Sequence, residues 1–166
     1  MSRGFRWTLG LVLVASAIGG LVLLWPTETK RVTRMVERFA ADASFKPGDG
    51  NIVRLAKMEA VTGRFAADAQ IRFESLGIPL HEVSGRDEIR QVVALAQKLS
   101  GGLDVKVYDV VVTFGPQAGT ARVELTASLS SGKQEGFTAQ EFALQLVKRE
   151  GAWLIQRAES VKTLRR

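Results

Sequence analysis

The chain holds one histidine and no cysteine among its 166 residues, so the groups that could carry chemistry are few. His81 is followed by Glu82, a histidine beside an acid, the combination that general acid–base catalysis uses. Adjacent residues of a strand point to opposite faces, so the two would not share one side of a sheet, and His81 is expected at the surface. Asp109 interrupts Val105, Val107 and Val111 on one face of an apolar run. A buried acid there would mark a functional site; an acid on a solvent face would not, and the solvent face is the expectation. Glu74 completes the candidate acids. Asp87 and Glu88 stand where a helix begins and read as cap residues.

Composition removes larger classes. Without cysteine there are no disulfides, no thiolate catalysis and no zinc held by sulfur. One histidine excludes a metal centre built on several imidazoles of one chain, and no cofactor is expected. The formal charge of +6 is spread along the sequence, with no arginine run interleaved with aromatics. An excess of this kind favours anionic surfaces in general; nucleic acid is only one of them and is not the expected partner.

The elements that would position these groups follow from periodicity. Pro26 to Thr29 reads as a helix start, with a threonine to cap free amides and Glu28 in the first turn. Val32, Met35, Val36, Phe39 and Ala40 then recur at helical spacing, while Arg31, Arg34 and Arg38 fall together on another face, toward either anionic headgroups or water. Lys46 to Asn51 is a turn cluster. Ile52, Leu55, Ala56 and Met58 suggest the apolar side of a second helix that ends near Gly63. Ala69 to Ser75 alternates as a strand and turns at Leu76 to Pro79, which puts His81 on a second arm. Ser84 and Asp87 have capping-box form, and Ile89, Val92, Val93, Ala96 and Leu99 make a third helix, stopped by Gly101 and Gly102.

Four strands complete the chain. Val105 to Phe114 carries apolar residues on both faces and is expected at the centre of its sheet. Residues 121 to 130 alternate apolar and polar, one face buried and one wet. The runs Phe142 to Val147 and Ala152 to Val161 form a closing hairpin that turns at Glu150 and Gly151. Helices first and strands after predict an α+β fold: three helices packed on one curved, mostly antiparallel sheet, a cone with a cavity at its open end.

This order, with FAADAQIRF, SGRDEIRQVV and FALQLVKREGAWLIQRAESV in sequence, resembles the nuclear transport factor 2-like superfamily, also called the cystatin-like cone fold. The resemblance covers residues 28 to 164 and includes steroid isomerases, dehydratases, polyketide cyclases and transport factors, so it implies a fold before it implies an activity. Set beside the isomerases, the position of their oxyanion-donating tyrosine falls on Phe39. That of their general base falls on Phe73, and that of their protonated acid on Phe142. A register slipped by one would offer Glu74 or Glu141, on the opposite face. Phenylalanine neither abstracts a proton nor donates to an oxyanion. The resemblance therefore implies an apolar lining of Phe39, Phe65, Phe73, Phe142 and Trp153 in place of a reactive site.

Ahead of this domain, Thr8 to Trp25 contains no charged residue. As a helix its 18 residues span about 27 Å, close to the hydrocarbon thickness of a bilayer. Trp7 and Trp25 bracket it as interfacial residues do. Ala15 to Ala17 has the form of a cleavage site, but the apolar run continues past it through Trp25, which favours an anchor over a signal peptide. Residues 1–26 are thus expected to be a tail and a single transmembrane helix in the cell membrane, and residues 27–166 a domain on its extracytoplasmic side. The expected function is non-catalytic: binding an apolar small molecule, or assembly with an envelope protein or a second copy of the chain. The alternative is an isomerase, dehydratase or cyclase acting on a hydrophobic substrate. Dimerisation is expected through the outer sheet face, because residues 105–114 are apolar on both sides.

Overall fold

The computed structural model describes residues 27–75, 78–131 and 134–161. The expected membrane segment, Thr8 to Trp25, lies outside them, and among the described residues no helix is long and apolar enough to cross a membrane. Contacts divide the chain after Arg31, and the unit that begins at Val32 holds the sheet.

Helix α1 runs over Glu28–Ala43. Its start is the expected one: the Thr27 hydroxyl accepts from the Lys30 amide at 3.5 Å, and the Thr27 carbonyl from the Arg31 amide at 3.1 Å. Val32, Met35, Val36 and Ala40 are buried, so its apolar face is the one the spacing predicts. Helix α2, Asn51–Thr62, closes at Gly63 as expected but turns a different face inward. Val61 and Thr62 are its buried residues, whereas Ile52 and Leu55 are 85% and 56% exposed. The inward places go instead to Arg54 and Lys57, whose polar ends bond the carbonyls that end neighbouring segments: Arg54 Nε to Asp49 O at 3.0 Å and Lys57 Nζ to Ser44 O at 2.9 Å.

Strand β1, Phe65–Ser75, begins four residues earlier than its alternation suggests, and β2 covers Ile78–Ser84. Helix α3, Arg86–Leu99, is capped differently from the expected box. Gly85, at φ 84°, is the N-cap, and the Glu88 carboxylate accepts the Ser84 amide at 3.0 Å. The acid of the cap is thus Glu88, four positions on, since the left-handed Gly85 turns the chain one residue later than the serine would.

Strands β3 (Leu103–Phe114), β4 (Thr120–Ser131), β5 (Gln134–Arg149) and β6 (Ala152–Val161) follow as a run of antiparallel neighbours. The turn at Glu150 and Gly151 has positive φ at both residues, 52° and 81°, as a two-residue hairpin needs. The six strands form one sheet in the order β2-β1-β6-β5-β4-β3. Its one parallel pairing joins β1 to β6, which makes the sheet mixed.

Strand β3 is therefore an edge strand, not the central one its composition predicts. A bulge explains why the run looks two-faced in sequence. Tyr108 stands opposite Thr126 and Val111 opposite Glu124, so three steps on β3 match two on β4, and Asp109 takes φ 52° to absorb the extra residue. The parity of side chains reverses there. Val105 and Val107 before the bulge, and Val110 and Val112 after it, all face the core side, while Tyr108 and Val111 face out, 46% and 56% exposed. A valine run that spans a parity change reads in sequence as apolar on both faces. The outer face of the rest of the sheet is charged: Arg72 pairs with Glu82 at 3.2 Å, Arg157 with Glu159 at 2.6 Å and Arg122 with Glu124 at 3.0 Å.

The core lies on the helix side. Val123, Leu146 and Ile155 from the sheet meet Val32, Val36 and Ile89 from the helices, each no more than 1% exposed. Burial of each such side chain contributes about 1.5–3 kcal/mol.

Candidate functional site

Where α1, α2 and α3 cross β1 and the start of β3, the packing leaves a cavity of about 190 Å³. Phe39, Asp42 and Ala43 reach it from one side of α1, since residues three and four apart share a helix face. Phe65 and Ile71 line it from β1, Ile89 and Val93 from α3, and Val61 from α2. Phe39 meets Phe65 edge to face, ring centres 5.6 Å apart and planes at 79°, a favoured aromatic geometry. Phe45, 4% exposed, closes the wall beside Leu103, and the Arg54 guanidinium lies over its ring at 5.6 Å.

Two polar side chains touch this apolar space, Asp42 and Gln97. Gln97 is committed elsewhere, its amide donating to the Arg54 carbonyl at 3.1 Å. Asp42 faces Arg64 at 3.7 Å with both side chains about one-third exposed (32% and 33%), so the carboxylate sits where cavity meets solvent. Among the described lining residues Asp42 is the one ionisable group. Sequence reasoning passed over it, although it lies one helical turn beyond Phe39 in ERFAAD, a spacing that could have shown the two on one face.

The five expected lining aromatics do not gather in one place. Phe39 and Phe65 line the cavity. Phe142 borders a separate depression with Asp109, Glu124 and Glu141. Trp153 is buried near the β5–β6 turn, against Phe114 at 6.1 Å and under the Lys148 ammonium at 5.7 Å, where it plugs the end of the sheet. Phe73 pairs in register with His81 across β1 and β2. The side chains of Phe73, Glu74 and His81 lie outside the described residues. Asp109 is exposed on its bulge and stands apart from the cavity. No group of three or more metal-ligating side chains occurs among the described residues.

A second depression, about 390 Å³, runs past Ser44, Lys46, Lys57 and Ser131. Lys57, on its lining, is spent on structure. The Asp49 carboxylate accepts from the Lys46 amide at 3.0 Å and from Lys57 Nζ at 3.1 Å. Those bonds, the amide first and the ammonium second, hold Asp49 below the usual carboxylate range and pin the α1–α2 turn.

Neither a family model nor a curated protein matches this sequence. Solved structures do match its architecture. One, described as a scytalone dehydratase by assignment, comes from Novosphingobium aromaticivorans: TM-score 0.64, 16% identity, covering 82% of this chain and 85% of the other. Another, from the same organism, is a nuclear transport factor 2-like protein with a cystatin-like fold (0.60, 14%, 88% and 87%). The fold is cystatin-like. A third match, a Mycobacterium tuberculosis protein of unknown function, aligns at 0.64 with 14% identity over 82% of this chain and 72% of its own. At these identities the likeness extends to the cystatin-like backbone alone.

Proposed function

We propose that this chain is a non-catalytic receptor for a small apolar molecule, held at a membrane by residues 8–25. The supporting observation is the cavity: about 190 Å³, walled by Phe39, Phe45, Phe65, Ile71, Ile89 and Val93, with one carboxylate at its rim. An apolar cavity of roughly 150 Å³ already admits benzene, so the ligand class is a molecule of one ring, or a short branched alkyl group. The ring faces and aliphatic walls give affinity without orientation, and Asp42 would select a ligand carrying a donor or a cationic end toward solvent.

Indole is the probe, titrated calorimetrically into the full chain in detergent. A Kd of roughly 0.1–1 mM is expected for so few buried atoms. Ala43→Leu and Val93→Phe each fill the space from a different helix and should abolish the heat while the far-ultraviolet dichroism stays unchanged. Binding that persists in both variants would place the ligand elsewhere.

The alternative is an enzyme on a hydrophobic substrate, favoured by the partly exposed Asp42 carboxylate at the rim and by the dehydratase description of one structural relative. Asp42→Asn and His81→Ala separate the two readings. A receptor keeps its indole affinity in both, within about threefold, whereas a turnover lost in either variant would establish catalysis. Assembly with a second copy or an envelope protein belongs to the receptor class, and light scattering of the full chain with and without indole tests it.

A further inference from the structure

We propose that the exposed face of α1 docks on anionic phospholipid headgroups, so that the domain is held flat against the bilayer by charge as well as tethered to it. Lys30, Arg31, Arg34 and Arg38 are all exposed. At 100° per residue they fall within an arc of about 100° on the helix, opposite Val32 and Val36, which are buried. Arg31 is paired with Glu28 at 3.2 Å. Lys30, Arg34 and Arg38 make no side-chain ion pair among the described residues. Glu37, exposed at one flank of the arc, is the acid nearest to it on the helix.

Two features select a lipid surface over other anions. The arc is a row of separate charges along the helix axis, with no pocket among the described cavities that would enclose one phosphate. It also follows directly on the uncharged stretch Thr8 to Trp25, from which only Pro26 and Thr27 separate the helix. With α1 lying along the bilayer surface, each of these cations comes within a Debye length of the headgroups, where it is attracted to anionic lipid. The inference rests on the reading of residues 8–25 as a tether, and the experiment keeps the two apart.

Because the chain lacks cysteine, Ala41→Cys supplies a unique attachment point for an environment-sensitive dye on the exposed side of α1. The full labelled chain is placed in nanodiscs of phosphatidylcholine alone, or with about one-third phosphatidylglycerol. The dye should report a drier environment only in the anionic discs, and the effect should vanish toward 1 M salt, where screening acts within about 3 Å. Arg34→Gln and Arg38→Gln should each lower the docked-to-free ratio about fivefold at low salt. Equal signals in both discs, or signals indifferent to the two substitutions, would overturn the docking. Failure to enter the neutral discs would overturn the tether instead, and a salt-sensitive signal on anionic vesicles would then show the basic face acting alone.

Discussion

Asp49 couples one side chain to the fold in a way that pH can read. Its carboxyl lies below the ordinary range when folded because the Lys46 amide and the Lys57 ammonium both favour the anion. A group with a depressed folded pKa adds stability above its unfolded pKa, about 3.9, and loses it as pH falls through the folded value. Asp49→Asn should therefore lower the urea midpoint at pH 7, and the two proteins should converge in acid below the folded pKa. A constant gap between them across pH 2 to 7 would refute this role. Asp42 shows the limit of reading single residues. Its type and its spacing from Phe39 are visible in ERFAAD, but only the crossing of α1 over β1 brings Arg64 to 3.7 Å and a cavity beside it.

At the scale of elements, β3 carries the clearest lesson. Its edge position exposes backbone donors and acceptors to pairing with other chains, and the Asp109 bulge interrupts that template near mid-strand. Asp tolerates the left-handed conformation better than β-branched residues do. Asp109→Val should destabilise the fold by roughly 1–2 kcal/mol and Asp109→Gly should not, as judged by chemical denaturation. Equal effects would mean that φ 52° is not what the position selects. Much of the rest was legible. The α1 face, the alternation of β4 from Ala121 to Ala127 and the Glu150–Gly151 turn follow from local period and local φ preference and stand in the structure, whereas past Ala127 the expected wet-face Ser128 is buried. The inward face of α2 was not legible, because Ile52 and Leu55 lose to Arg54 and Lys57 for reasons that lie in other segments.

At the scale of the whole molecule, the proposed tether is tested by separating it from the domain. If residues 8–25 span a bilayer, the full chain should float with neutral vesicles in a density gradient and resist extraction by carbonate. A chain lacking residues 1–26 should stay with the aqueous fraction and keep the dichroism of a folded α+β domain. Carbonate extraction of the full chain would remove the tether and leave the basic face of α1 to be tested on anionic vesicles alone. The helix-side core that this truncation retains draws its buried residues from all three helices and from β1, β2, β4, β5 and β6.

Local physics determined a great deal from sequence alone: where α1 starts and α2 stops, which way α1 turns its apolar face, how β4 alternates through Ala127, and that neither thiol nor multi-histidine chemistry is available. Those properties depend on side chains within a turn or two of one another. The tertiary structure decided which strand lies at the edge, where the parity of β3 reverses, and that Phe39 and Phe65 share a cavity while Phe142 and Trp153 do not. Those depend on pairings between residues far apart in the chain, and a residue's own neighbours in sequence carry no record of which distant strand it will meet.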